Sequence, residues 1–257
     1  MRKTVLIAII VVVVILPISA ANQVFATNAL ISPPLFASPT QKKAVILDPL
    51  EQVYPMGLYG KLITDQLQSV GYQVTVLTNG NVTLDFLVNQ LNNYNLIIWR
   101  TDSYTWQHRE FWYVGQLANS AVQAEYASDF AQGYINGMGG IMGVSLEFIM
   151  EHFPAHSLTN VNFMLLIATD SNVFSPVFNT AGANAVVYCN GQVSLSFSLI
   201  DDLAGQLTSY LVQGQTVYNA VYNTVSPFVQ NTQMEDPLDS SYAPPFWFTG
   251  NSTVVIT

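Results

Sequence analysis

The chain has 257 residues, of which 50% are hydrophobic and 9% are charged, and its formal net charge is −9. This length suffices for one packed α/β domain or two small ones, and the hydrophobic fraction excludes a disordered chain. No Lys or Arg follows Arg109, so most of the chain has no cation with which to neutralise phosphate. We therefore expect no nucleic-acid partner and repulsion from an anionic membrane surface.

Residues 1–21 have the pattern of a secretory signal peptide. Arg2 and Lys3 precede a run of twelve apolar residues, and Ser19-Ala20-Ala21 supplies the small residues that a signal peptidase requires. As a helix the run would cover roughly 18 Å, less than a hydrocarbon core about 30 Å thick. A cleaved signal is therefore favoured, and we expect an extracellular or cell-surface protein. A retained N-terminal segment would be its attachment to the membrane.

An alternation of strands and helices follows a Pro-containing linker at residues 22–41. Short apolar runs predict buried strands, and apolar residues at helical spacing predict the helices between them. The predicted strands are residues 43–47, 72–77, 96–99, 162–168 and 185–188. The predicted helices are residues 57–70, 83–91, 145–152, 174–181, 199–212 and 216–225. The pattern predicts a three-layer α/β/α sandwich whose mostly parallel sheet has about five to six strands.

Two segments depart from this alternation. Residues 104–157 are rich in small residues, and this composition predicts an inserted flap. The α/β domain that contains the insertion is predicted to span residues 42–230. Residues 231–257 form a C-terminal tail, in which residues 252–256 have the composition of a strand. The last predicted helix should end before Pro227, because proline disrupts a helix interior.

Cysteine and glycosylation signals are sparse. Cys189 is the only cysteine, so no internal disulfide can form, and we expect it to be buried on a strand rather than to act as a nucleophile. Asn81 and Asn251 each begin an Asn-x-Thr sequon, which permits glycosylation without requiring it.

Polar side chains follow the predicted strands at their carboxyl ends. In an open parallel sheet these ends meet at one edge, where ligands bind. Three carboxylates, one guanidinium and neighbouring polar groups could therefore face one crevice. The candidates are Asp48, Arg100, Asp102, Ser103, Thr169, Asp170, Ser171 and Asn190. Each could instead cap a turn or the next helix, but the repeated Asp-Ser after two strands favours a functional role for Asp102 and Asp170.

Several standard motifs are absent from the sequence, namely GxGxxG, GxxxxGK[ST] and GxSxG. The first two provide backbone N–H groups for phosphate, and the third carries a hydrolase nucleophile. His152 and His156 have i, i+4 spacing, but Pro154 interrupts the helix that zinc ligation would need. The sequence therefore predicts neither a cofactor nor a zinc site.

The order of elements resembles the cysteine peptidase domain of the caspase and gingipain type. The segments that carry the resemblance are ILDP, YNLIIWRTDS, FMLLIATDSN, TAGANAVVYCNGQVSLS and LTSYLVQGQTVYNAVYNTV. Together they cover about residues 43–226. The resemblance implies a caspase-like fold with a crevice at the carboxyl edge of the sheet.

The resemblance also implies where catalytic residues should stand. In that family a histidine closes the third strand and a cysteine follows the fourth. Asp102 stands at the histidine position and Thr169 or Asp170 at the cysteine position, while Cys189 belongs to the next strand. Without a thiolate and a base to activate it, the thiol mechanism is lost. The resemblance therefore implies a pseudo-peptidase.

Three functions remain open. The first is a non-catalytic exported domain that binds a peptide or a cell-surface partner. The second is an acid-active hydrolase in which Asp102 and Asp170 share a proton, one carboxyl acting as acid and the other as base; a divalent cation held with Asp48 is a variant. The third is a structural component of the cell envelope, which the export signal and the polar tail favour.

Overall fold

The computed structural model of the protein describes residues 41–189, 196–229 and 245–257. The predicted signal peptide at residues 1–21, the linker as far as residue 40, and Asn190 lie outside these residues, so the predictions made for them stay predictions. Across the described part of the chain, no helix combines the length and the apolar character needed to cross a membrane.

The described residues contain ten strands, which form two sheets. In chain order the strands are β1 (Lys43–Asp48), β2 (Gln73–Thr78), β3 (Leu96–Arg100), β4 (Ser103–Trp106), β5 (Arg109–Leu117), β6 (Ile135–Asn136), β7 (Ile141–Ser145), β8 (Phe163–Ile167), β9 (Ala185–Cys189) and β10 (Phe246–Gly250). The main sheet has six strands in the order β10-β9-β8-β3-β1-β2, and within it only β10 runs antiparallel to its neighbour. The predicted α/β fold with a mostly parallel sheet is confirmed.

Helices cover both faces of the main sheet. In chain order those described are α1 (Leu58–Ser69), α2 (Leu84–Gln90), α3 (Ser120–Glu125), α4 (Ala127–Gln132), α5 (Leu146–His152), α6 (Ser171–Thr180), α7 (Phe197–Val212) and α8 (Val217–Val229). The core on one face includes residues of α1, α7 and α8, and the core on the other includes residues of α2, α5 and α6. The domain therefore has three layers.

The strand β3 shows why its sequence is apolar throughout. Successive side chains of a strand point to opposite faces, so Ile97 and Trp99 belong to one core, whereas Leu96 and Ile98 belong to the other. Because helices or a second sheet cover each face, neither side of β3 meets water. The same alternation directs the next side chain, Arg100, towards the face that carries α1 and α7.

The predicted insertion at residues 104–157 is built around the second sheet, whose order is β4-β5-β7-β6 with every pair antiparallel. It is joined to the main domain by aromatic packing. The Trp112 ring of β5 meets Trp99 edge-on, with centroids 5.2 Å apart, and stacks on Phe174 of α6 at 4.0 Å. The insertion is therefore part of the packed domain rather than a detached flap.

Two predictions about the C-terminal part of the chain are corrected. The helix α8 continues through Pro227 instead of ending before it; proline there forfeits one hydrogen bond near the end of a helix whose buried face, including Val217 and Val221, is held by the core. The strand of the tail is β10 rather than residues 252–256. Gly250 has a φ of 86°, and this left-handed turn takes the following residues out of the sheet.

Replacing Gly115 with alanine should destabilise the fold by about 1–3 kcal/mol. A Cβ atom at Gly115 of β5 would collide with the backbone carbonyl of Asn79, and a backbone atom cannot move aside as a side chain can. The free energy of unfolding, measured with urea, would show the loss. The matched control is Gly60→Ala in α1, where the new methyl group meets only the Met56 side chain at ordinary contact distance and helix propensity favours alanine. Equal effects of the two substitutions would contradict the prediction.

Candidate functional site

Four polar residues come together where β3 and β8 end, and we call Asp102, Ser103, Thr169 and Asp170 the carboxyl-edge cluster. The Ser103 backbone N–H donates to Asp102 Oδ1 at 2.8 Å, and the Thr169 hydroxyl donates to the same oxygen at 3.2 Å. The Ser103 hydroxyl donates to Asp170 Oδ2 at 3.3 Å. Ser103 therefore bridges the two carboxyl groups, and the structure brings together the residues that the repeated Asp-Ser pattern singled out.

Asp170 has an unusual backbone conformation for a residue between a strand and a helix. Its φ is 58°, and although it stands at the N-cap of α6, its side chain makes no capping hydrogen bond. A capping role would have been the ordinary explanation for an aspartate at this position. Its carboxylate instead faces Ser103. Left-handed backbone is uncommon outside glycine, and aspartate is among the residues that adopt it most readily.

Tyrosine rings flank the carboxyl-edge cluster on the side of the second sheet. The Tyr113 backbone N–H donates to the carbonyl of Asp102 at 3.2 Å, which holds β5 against the end of β3. Burial raises the pKa of the Tyr113 phenol, and the charge of Asp102 and the neighbouring Tyr54 raise it further. The Tyr104 ring lies 4.7 Å from that of Tyr113. The cluster thus combines two carboxylates and two hydroxyls, with the Tyr113 phenol near Asp102.

Arg100 does not join this cluster, because its side chain lies on the other face of the sheet. It is fully buried and binds two buried carboxylates, and we call Arg100, Asp48 and Asp201 the ionic triad. Arg100 Nε and Nη2 donate to the two Asp201 carboxylate oxygens at 2.8 and 3.0 Å, and Nη1 lies 3.1 Å from Asp48 Oδ1. The guanidinium also lies over the Phe197 ring, 4.8 Å from its centroid.

Burial and charge act against each other in the ionic triad. Burial raises the pKa of Asp48 to about 7, and a hydrogen bond with the Glu51 side chain adds to the rise, while the charge of Arg100 opposes it. Burial likewise raises the pKa of Asp201. For Arg100, burial alone would lower the pKa, but the hydrogen bonds and charges of the two aspartates outweigh it and raise the pKa. The guanidinium therefore stays charged, and the carboxyls hold protons more tightly than in water.

The expectation of one crevice shared by all the candidates is corrected. Asp48 and Arg100 are buried in the ionic triad, and Ser171 is buried with its hydroxyl donating to the backbone carbonyl of Cys189 at 2.8 Å. The side chains of Asp48 and Arg100 therefore bind each other, and that of Ser171 binds the backbone, rather than joining the carboxyl-edge cluster. Of the predicted crevice residues with described positions, the edge retains Asp102, Ser103, Thr169 and Asp170.

Cys189 lies at the end of β9 and is buried, as expected of a structural cysteine. Burial raises the pKa of its thiol to about 12. The thiol therefore stays protonated at any ordinary pH, and a protonated thiol is a poor nucleophile. The structure gives Cys189 a packing role.

The histidines and carboxylates of the described residues form no group of three or more that could hold a metal ion. His152 ends α5, and its Nε2 lies 3.1 Å from Asp129 Oδ1. The cation variant required Asp48 beside Asp102 and Asp170, but Asp48 is bound to Arg100 instead. The described residues therefore offer no support for a divalent cation at this edge.

The two predicted glycosylation residues are on the surface. Asn81 lies in a short 3-10 turn and is exposed, and Asn251 is exposed just after β10. The Asn251 side-chain oxygen accepts hydrogen bonds from the backbone and the hydroxyl of Thr253, at 3.0 and 2.7 Å. Both side chains are accessible, and their glycosylation stays a prediction.

Asp201 is the residue of the ionic triad that sequence reasoning missed. It is separated from Arg100 by 101 positions, so no local motif connects the two. One signal was present, because Asp201 shares a face of α7 with the buried residues Ala204 and Thr208. An acidic residue on the inner face of an amphipathic helix requires a buried partner.

Comparisons with known proteins give no family for this chain. No family model matches it, and no curated protein matches it.

Proposed function

We propose that the chain is an exported, non-catalytic α/β domain of the caspase-like type, which binds a peptide of a cell-surface partner at the carboxyl-edge cluster. The observation that carries this proposal is the chemistry of that cluster. By the resemblance to caspase-type domains, Asp102 takes the place of the histidine and Thr169 or Asp170 that of the cysteine, so these positions supply neither an imidazole nor a thiolate. The thiol of Cys189 is buried and protonated, and the His152 imidazole contacts Asp129 instead.

The charge of the cluster favours a partner with a basic side chain. Among the described residues, no Lys or Arg forms an ion pair with Asp102 or Asp170. The nearest cation along the chain, Arg100, is already matched by the other carboxylates of the ionic triad. A Lys or Arg of a bound peptide would supply the missing charge, and its aliphatic stem would pack against Tyr113.

The proposal predicts binding of basic peptides that depends on both carboxylates. We expect labelled Lys- or Arg-containing peptides to bind more tightly than matched Gln-containing peptides at low ionic strength. The double substitution Asp102→Asn and Asp170→Asn should weaken that binding by about tenfold or more, because charge complementarity is lost. Fluorescence anisotropy would measure the dissociation constants.

The matched control is Asp65→Asn, which removes an exposed carboxylate of α1 that pairs with Lys61. It should leave peptide binding unchanged. If it weakened binding as much as the cluster substitutions did, the effect would be one of net charge, and the proposed site would be wrong. Equal affinity for basic and neutral peptides would also count against the proposal.

An acid-active hydrolase is the second candidate, and one observation favours it. Ser103 forms hydrogen bonds to both Asp102 and Asp170, which brings both carboxyl groups to one residue. In the hydrolase one carboxyl would act as acid and the other as base. Hydrolysis of a peptide library between pH 2 and pH 8 separates the candidates. Cleavage at low pH that disappears in Asp102→Asn would replace the binding proposal with this one, whereas no cleavage would leave binding alone.

A further inference from the structure

A concave site lies at the tip of the hairpin formed by β4 and β5, and we call it the hairpin pocket. Its volume is about 420 Å³, which is within the usual range for small-molecule sites. The residues lining it are Trp106, Gln107, Arg109, Phe130, Ala131, Gln132, Gly133, Ile135 and Asn136. None of them belongs to the carboxyl-edge cluster or to the ionic triad, so this pocket is independent of the function proposed above.

Trp106 gives the hairpin pocket an aromatic wall that is open to water. Its exposed fraction is 39%, although the sheet beneath it is well packed. The indole and the Phe111 ring pack edge to face, with centroids 6.4 Å apart. The face of an indole carries negative charge density and attracts weakly polarised C–H groups. One side of a pyranose ring presents such C–H groups, so Trp106 is suited to stack against a sugar.

Gln107 lies next to Trp106 in the turn of the hairpin, where its backbone is in the strained left-handed region. Trp106 pairs with Arg109, which leaves a two-residue turn, and its residues Gln107 and His108 have φ values of 49° and 67°. Two successive left-handed residues define a type I′ turn, for which Asn-Gly is preferred. A glutamine kept in this position places an amide, which both donates and accepts hydrogen bonds, at the mouth of the pocket.

The charge balance of the hairpin pocket favours a neutral ligand. Arg109 Nη1 donates to the backbone carbonyls of Gln132 and Gly133, both at 2.9 Å. Its Nε lies 3.7 Å from Glu147 Oε1, so an acidic side chain matches the guanidinium charge. The described residues that line the pocket therefore include no unpaired cation to attract an anion. The net charge of the whole chain is also negative.

We propose that the hairpin pocket binds a neutral saccharide, with a pyranose ring stacked on Trp106. The amides of Gln107 and Asn136 supply both donors and acceptors for the hydroxyl groups of the sugar, each of which donates and accepts hydrogen bonds. The buried Ile135, 2% exposed, and the Phe130 ring supply an apolar floor. A polar rim with an aromatic wall and no net charge suits a sugar better than a phosphate or a carboxylate ligand.

The test is titration of the full chain with three neutral trisaccharides, maltotriose, cellotriose and chitotriose, and with trigalacturonate as the acidic comparison. Calorimetry should show saturable binding of at least one neutral trisaccharide, weakened by about tenfold or more in Trp106→Ala. The matched control is Tyr218→Ala on α8, whose side chain has the same exposed fraction of 39%. Failure of all three to bind, or tighter binding of trigalacturonate, would overturn the proposal.

Two glycine substitutions in the turn distinguish ligand binding from folding. Gln107→Gly and His108→Gly should each raise the melting temperature, because glycine adopts left-handed conformations without strain. Only Gln107→Gly removes a group that lines the pocket, so it should weaken trisaccharide binding while His108→Gly leaves it unchanged. Loss of binding in both variants, or in neither, would contradict the role assigned to the Gln107 amide.

Discussion

Replacement of Arg100 by methionine should lower the free energy of unfolding at pH 7 by about 3–5 kcal/mol. The substitution keeps most of the side-chain volume but leaves the buried Asp48 and Asp201 carboxyls without a cation between them. At pH 4 the loss should be smaller, because these carboxyls, whose pKa values burial has already raised, can then take up protons. Urea-induced unfolding at the two pH values would measure both losses.

The control for this substitution is Arg109→Met. Arg109 is partly exposed and its Nε lies 3.7 Å from Glu147, so the lost ion pair should contribute about 1 kcal/mol or less. A loss for Arg100→Met that is equally small, or that is the same at pH 7 and pH 4, would mean that the ionic triad does not balance the buried charge.

The free energy of unfolding of the unmodified protein should increase as the pH falls from 7 towards 4. In the folded state the pKa of Asp48 is raised from 3.8 to about 7, so between these values the folded protein holds a proton that the unfolded chain releases. This contribution is fully present below about pH 4 and is lost as the pH rises through 7. With about 1.4 kcal/mol for each pKa unit, it amounts to at most about 4 kcal/mol.

The substitution Asp48→Asn isolates this contribution. An asparagine has no proton to gain in this range, so the difference in melting temperature between pH 4 and pH 7 should shrink in the variant. Calorimetry from pH 4 to pH 8 on both proteins would measure it. An unchanged pH profile in the variant would assign the effect to other carboxyls.

The main sheet could be predicted because its signals are local. Runs such as residues 43–47 are apolar at every position, as burial on both faces requires, and the alternating helices require right-handed crossovers. The meeting of Asp102 and Asp170 followed from the same reasoning, since β3 and β8 are neighbours and their carboxyl ends share one edge.

The second sheet and the ionic triad could not be predicted from local patterns. Strand β5 pairs with β7 across helices α3 and α4, with an irregular register between Tyr113 and Leu117, so its alternation is broken. The face of the sheet to which Arg100 points could not be predicted either. The predicted strand ended at Trp99, and the alternation of side chains applies only to residues within a strand. Its partner Asp201 is placed by the packing of α7, which is a tertiary effect.

The strand β10 completes the main sheet with residues that the ribosome makes after every other described strand of that sheet. Until they emerge, the N–H and C=O groups along the outer edge of β9 have no strand to pair with. The sequence of β9, AVVYC, is apolar and β-prone, so a second nascent chain could pair with it instead. Every newly made molecule therefore passes through an interval in which aggregation competes with completion of the sheet, and a premature stop before Phe246 would make that interval permanent.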